Sequence, residues 1–141
     1  MMHVGDLLPV WRIDSVDPVN MRELAGVLRD PNPIHLDAAA VQRLGLGDRV
    51  INQGPANLAY IVNMLSAALP GAVLLQLDAR FLANVLGADA VEAGGRVVSI
   101  ETGAAGTRIG CEIWLNVADR GAAVAGGAML LLASPRPRVN P

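Results

Sequence analysis

Gly54-Pro55-Ala56-Asn57-Leu58-Ala59-Tyr60-Ile61-Val62-Asn63-Met64-Leu65-Ser66-Ala67-Ala68-Leu69-Pro70-Gly71 decides the fold. Pro55 suits the first position of a helix, where a missing N–H costs nothing, and Pro70-Gly71 stops one. The spacing therefore predicts a helix over 56–69. Leu58, Ile61, Val62, Leu65 and Leu69 form one apolar stripe, and Ala59, Tyr60, Met64 and Ala68 fill most of the remaining circumference. A helix apolar nearly all round is expected to be buried on most sides. It is too short, and too interrupted by Asn57, Asn63 and Ser66, to cross a bilayer. Those three polar residues either line a polar pocket or face water.

Downstream of this helix the period changes to two. Val73, Leu75, Leu77, Ala79 and Phe81 alternate with Leu74, Gln76, Asp78, Arg80 and Leu82. Ile109, Cys111, Ile113, Leu115 and Val117 alternate in the same way with Arg108, Gly110, Glu112, Trp114 and Asn116. Such alternation reads as strands. Between them 90–101 is a weaker strand, in which Gly94-Gly95 is expected to be a bulge or bend. Ala104-Ala105-Gly106 and Asp119-Arg120-Gly121 are turn signals, so the strands are expected to form an antiparallel meander. One buried helix followed by four long strands gives an α+β class, with a curved antiparallel sheet wrapped around a long central helix. Its open face and edges invite dimerisation.

Upstream, 7–13 reads as a short strand. Asn20-Met21-Arg22-Glu23 has the pattern of a capping box, followed by Met21, Leu24 and Leu28 at helical spacing. Asp37 is a plausible N-cap for a second helix over 38–44, with Gly45 closing it.

Between these two helices lies Arg29-Asp30-Pro31-Asn32-Pro33-Ile34-His35-Leu36. Each proline fixes its own φ and pushes the preceding residue out of helical geometry, so Asp30 and Asn32 are both held extended. An acid and an imidazole on one short, stiff loop have the chemistry to hold a water molecule for proton transfer. The same pattern also fits a simpler arrangement, in which Asp30 ends a helix, Asn32 satisfies loop backbone and His35 is half-buried.

Composition narrows the setting. With 141 residues, the chain suits one domain, expected over 1–133, with an extended or disordered tail over 134–141. Apolar residues make up 52% and charged residues 17%, so much of the surface must be apolar or covered by a partner. A net charge of −2 without a Lys/Arg cluster argues against nucleic acid. The single cysteine, Cys111, excludes an internal disulfide and a thiolate metal cluster, and is expected to pack as a small hydrophobe. The first residues lack a basic segment followed by an apolar one, and the apolar run 122–133 is too short to span a membrane. The expectation is a cytoplasmic protein bound to no membrane.

The segment Asp30-Pro31-Asn32-Pro33-Ile34-His35-Leu36-Asp37 resembles the Asp-x-Asn-Pro-aliphatic-His signature of the MaoC-like (R)-specific enoyl-CoA hydratase/dehydratase family. The Gly54-containing helix start, at the expected distance downstream, and Arg80-Phe81 followed by Val85 extend the likeness over roughly 24–132. That resemblance implies a hot-dog fold, in which a five-stranded antiparallel sheet wraps a central helix. It also implies a homodimer, or a heteromer with a related subunit. The implied reaction is hydration of a trans-2-enoyl thioester of coenzyme A, or dehydration of the (R)-3-hydroxyacyl form. Asp30 and His35 would activate the water, and the Gly54 N–H would stabilise charge on the thioester oxygen. Asn32 would brace the loop. Independently of the resemblance, Gln53 and Asn57 at the start of the central helix are candidate substrate contacts. No metal and no cofactor is implied, coenzyme A being part of the substrate.

The chain departs from the family at three places. Leu28-Arg29 stands where a small residue and Gly are common, Gln53 replaces a His, and Pro55 replaces an aliphatic residue. Two other readings share the expected fold. One is an acyl-CoA thioesterase, and the other is a non-catalytic acyl-CoA-binding subunit of a heteromeric hydratase. A metal site is disfavoured, because Asp30 and His35 are only two ligands and His3 is a poor third.

Overall fold

The structure, a computed structural model, describes residues 1–134. The tail expected over 134–141, with Arg136 and Arg138, lies beyond Ser134 outside the described residues. The elements follow in the order β1 (Trp11–Ile13), α1 (Pro18–Leu28), a single 3₁₀ turn (Pro33–His35), α2 (Ala38–Arg43), α3 (Gly54–Ala68), β2 (Val73–Phe81), β3 (Val91–Gly103), β4 (Gly106–Val117) and β5 (Gly121–Ala133). The five strands form one antiparallel sheet in the order β1-β3-β4-β5-β2.

This order corrects the simple meander. β3, β4 and β5 are sequential neighbours joined by tight turns, as expected, but β2 pairs with β5 at the far edge. The cause is the connection from Leu82 to Ala90, which is longer than hairpin loops normally are and is tied down elsewhere. Gly94-Gly95 is not a bulge either. Both residues keep regular register opposite Trp114 and Ile113, and the β3 irregularity falls between Val97 and Ser99. Gly94 instead makes room for an aromatic ring: a Cβ there would lie 2.5 Å from Trp114 Nε1.

α3 packs one face on the sheet. Ile61, Met64, Leu65 and Leu69 are buried against Val97, Ile113, Leu115 and Val124, while Ala59, Asn63, Ser66 and Ala67 are exposed. Among the described residues, then, the sheet covers one side of the helix, whose apolar circumference exceeds what the sheet buries. α1 starts earlier than the Asn20 pattern implied. Asp17 is the N-cap, accepting from Val19 N at 2.8 Å, and Pro18 occupies the first turn with φ already suited to it. The early strand is also shorter than 7–13, because only Trp11–Ile13 pairs continuously with β3 and Leu7 makes an isolated bridge to Arg96. No helix among the described residues is long and apolar enough to cross a membrane.

Candidate active site

α1 and α2 anchor the double-proline loop from both ends. α1 stops with Arg29 in left-handed geometry, φ 52° and ψ 42°, while the Asp30 N–H reaches back to the Ala25 carbonyl at 2.9 Å. This is a Schellman-type stop, usually built on glycine. Asp37 then caps α2 through Ala39 N at 2.9 Å. Within the loop two side chains fold back on the main chain. Asp30 Oδ1 accepts from Asn32 N at 3.1 Å, and Asn32 Oδ1 accepts from Ile34 N at 3.3 Å. Both are Asx turns, which fix carboxylate and amide orientation without tertiary contacts.

The first turn commits Asp30 Oδ1 and leaves Oδ2 facing His35. Nε2 of His35 lies 3.4 Å from Asp30 Oδ2. The other ring nitrogen, Nδ1, is 2.6 Å from the carbonyl oxygen of Ile51. A carbonyl only accepts, so Nδ1 carries the proton, and in the neutral ring Nε2 presents a lone pair. His35 is 9% exposed, whereas the Asp30 side chain is one-third exposed. The pair therefore stands at the boundary between protein and solvent, two acceptors side by side. Arg29 is exposed, and the ionisable side chain that faces Asp30 among the described residues is His35.

The segment leading into α3 connects this loop to the central helix. Ile51 N donates to Ile34 O at 2.9 Å, and Ile51 bridges to Leu86. Gly54 opens α3, and its N–H, at the first helical position, has no acceptor within the helix. The ring of Phe81 covers it so closely that a Cβ on Gly54 would lie 3.2 Å from Phe81 Cζ. Gln53 and Asn57 are 1% and 3% exposed. Gln53 Nε2 donates to Met21 O at 2.7 Å, joining α1 to the start of α3, and its Oε1 has no protein partner. Asn57 Oδ1 accepts from Asn52 Nδ2 at 2.8 Å. Both amides thus brace the helix start. Burial pushes the phenol of nearby Tyr60 above its ordinary range, a hydrogen bond with Asn52 opposing the shift, so it stays protonated at neutral pH.

Asp89 escaped the sequence reading, although a lone carboxylate in the apolar stretch 85–91 was the available signal. It is 5% exposed and accepts from Leu86 N at 2.7 Å, Arg49 Nη1 at 3.0 Å and both Nη atoms of Arg120. Burial by itself would raise its pKa. The Arg120 hydrogen bond, the Leu86 N–H and the two guanidinium charges outweigh burial and hold the carboxyl below its ordinary value. Cys111 packs in the core, where burial pushes its thiol up and keeps it protonated. Among the described residues no group of three or more His, Cys, Asp or Glu side chains is placed to hold a metal ion.

No family model matches the sequence, and no curated protein sequence does. Solved structures do match. An (R)-hydratase from A. caviae involved in PHA biosynthesis superposes with a TM-score of 0.83 at 22% identity, over 93% of this chain and 97% of that one. A chain of the ChsH1–ChsH2 complex from Mycobacterium tuberculosis gives 0.80 at 19% identity, over 94% and 99%. A MaoC-like dehydratase from Rhodospirillum rubrum gives 0.78 at 20% identity, over 95% of both. The chain has the hot-dog fold that these structures share. In this hot-dog fold the loop carrying Asp30 and His35 lies between α1 and α2, ahead of the Gly54 helix start, as the sequence order requires.

Proposed function

We propose that this hot-dog protein is a hydro-lyase that adds water to a trans-2-enoyl thioester of coenzyme A, or removes it from the (R)-3-hydroxyacyl thioester. One observation carries the reading: His35 Nε2 and Asp30 Oδ2 are two acceptors 3.4 Å apart, on a loop that fixes both. Adjacent lone pairs repel, and a water donating one O–H to each relieves the repulsion and orients its own lone pair outward. In the forward reaction the water oxygen bonds to C3 as the C2–C3 π bond breaks. The Asp30/His35 pair takes a proton from that water and delivers one to C2, so hydrogen and hydroxyl are added with no net change in the protein. Between them the two side chains supply the acid and the base. Charge developing on the thioester oxygen meets the free N–H of Gly54 and the positive end of the α3 dipole. Asn32 braces the loop, and the thioester is the only cofactor-derived group required.

The test is hydration of crotonyl-CoA. Loss of the enoyl absorbance without release of free thiol supports the reading, and thiol release would assign a thioesterase instead. Asp30→Asn is expected to lower turnover at least ~100-fold, within the usual range for a proton-transfer group. Near-normal turnover in that variant would remove Asp30 from the mechanism. A paired assembly accompanies this reading: β2 is an open edge strand with Val73 and Leu75 exposed, a surface suited to a second copy or a related subunit.

A further inference from the structure

The Ile51 carbonyl decides which nitrogen of His35 carries the proton, so whatever holds that carbonyl controls the base. Ile51 belongs to a short extended segment that pairs with the β2–β3 connection rather than with the main sheet. Gly87 N donates to Val50 O at 2.9 Å, Asn52 N donates to Val85 O at 2.7 Å, and Ile51 bridges to Leu86. The connection is itself strained: Ala88 adopts φ 67°, a left-handed conformation that a residue with a Cβ disfavours. Asp89 holds it there. Its carboxylate takes the N–H of Leu86, the residue that bridges to Ile51. Arg49, one residue before Val50, donates both to Asp89 Oδ1 and to the Gly87 carbonyl at 3.0 Å. Arg120, from the β4–β5 turn, clamps both carboxylate oxygens and reaches Asn84 O.

We propose that Asp89, clamped by Arg49 and Arg120, is a positioning residue that fixes the Nδ1–H tautomer of His35 by holding Leu86 and hence the Ile51 carbonyl in place. It touches no substrate and acts through two backbone segments. The proposal rests on the hydratase reading for its catalytic consequence, but its structural content can be read without any substrate.

The chain has two histidines, His35 and the exposed His3, so ¹⁵N spectra of the imidazoles resolve each tautomer directly, with His3→Gln assigning the signals. In the wild type, His35 is expected to show a protonated Nδ1 and an unprotonated Nε2. Asp89→Asn removes the charge but keeps the shape. Arg120→Gln, at a partly exposed position, gives a second variant less prone to misfolding. Each is expected to shift His35 toward a tautomer mixture. Each should also lower kcat for crotonyl-CoA ~10- to 100-fold with KM within about twofold, as a displaced catalytic group does. Ile113→Val, a core change outside the clamp, serves as the destabilised control and should leave the His35 signals unmoved. Folded Asp89→Asn and Arg120→Gln proteins with wild-type His35 signals would overturn the proposal. A tautomer shift in a protein whose wild type hydrates no enoyl thioester would support the positioning role and reject the hydratase reading.

Discussion

Arg29 illustrates how a single residue sets up the chemistry. Its left-handed φ and ψ turn the chain so that Asp30 leaves α1 pointing toward His35, in a conformation glycine adopts freely. Arg29 has a Cβ, so the left-handed geometry that aims Asp30 is kept at an energetic cost. Two effects compete in Arg29→Gly. Relief of left-handed strain is worth about 1–2 kcal/mol, and extra freedom in the unfolded chain costs about 0.4–1 kcal/mol. Relief wins, so the variant should melt at a higher temperature; a lower Tm would show that the Arg29 side chain contributes contacts of its own. Gly54 is constrained by space rather than by φ. Gly54→Ala should press the exposed Phe81 ring aside and lower turnover while leaving the fold intact, as circular dichroism alongside the crotonyl-CoA assay would show.

At the scale of elements, single side chains set where elements start and what they face. Asp17 and Pro18 start α1, Trp114 lies over Gly94 between β3 and β4, and Asp89 ties the β2–β3 connection to the turn before β5. Replacing Gly94 by Ala forces the indole off the strand and should cost ~1–3 kcal/mol, the usual range for overpacking. Urea unfolding measures the loss, and a red-shifted tryptophan emission identifies its source. The Asp89 clamp predicts an acid limb. Because its folded pKa is depressed, its stabilisation is complete above the unfolded value near ~3.9 and is lost as pH falls through the lower folded value. Asp89→Asn should therefore be less stable than wild type at pH 7, with a smaller further loss on acidification to pH 3. Parallel stability curves for the two proteins would show that the carboxylate is not the group titrating.

At the scale of the molecule, the sheet leaves one side of α3 uncovered and an edge strand unpaired. Ala59, Asn63, Ser66 and Ala67 face outward from α3, and Val73 is 56% exposed on β2. On the proposed reading a second chain covers part of this surface. Sedimentation is then expected to give twice the 14.7 kDa chain mass. Val73→Lys, which sets a charge on the open edge, should move the protein toward the monomer. A wild type that sediments as a single chain at high micromolar concentration would contradict this.

The sequence alone determined those features that local physics controls. Prolines fix φ, Asx side chains fold onto their own backbone, and apolar periods of 3.6 and two separate helix from strand. The central helix (expected over 56–69 and found at Gly54–Ala68), the strand alternation, the α2 cap and the stiff Asp30–His35 loop were legible for that reason. Tertiary structure alone decided the pairing of β2 with β5, the burial of Gln53 and Asn57, and the His35 tautomer. Each of these depends on partners far away in the chain. β2 could be placed only once the Leu82–Ala90 connection was anchored to Val50–Asn52, and the imidazole proton is assigned by a carbonyl sixteen residues downstream. Composition and period carry no record of such partners, because one carbonyl oxygen is chemically like any other until the fold brings it within 2.6 Å of Nδ1.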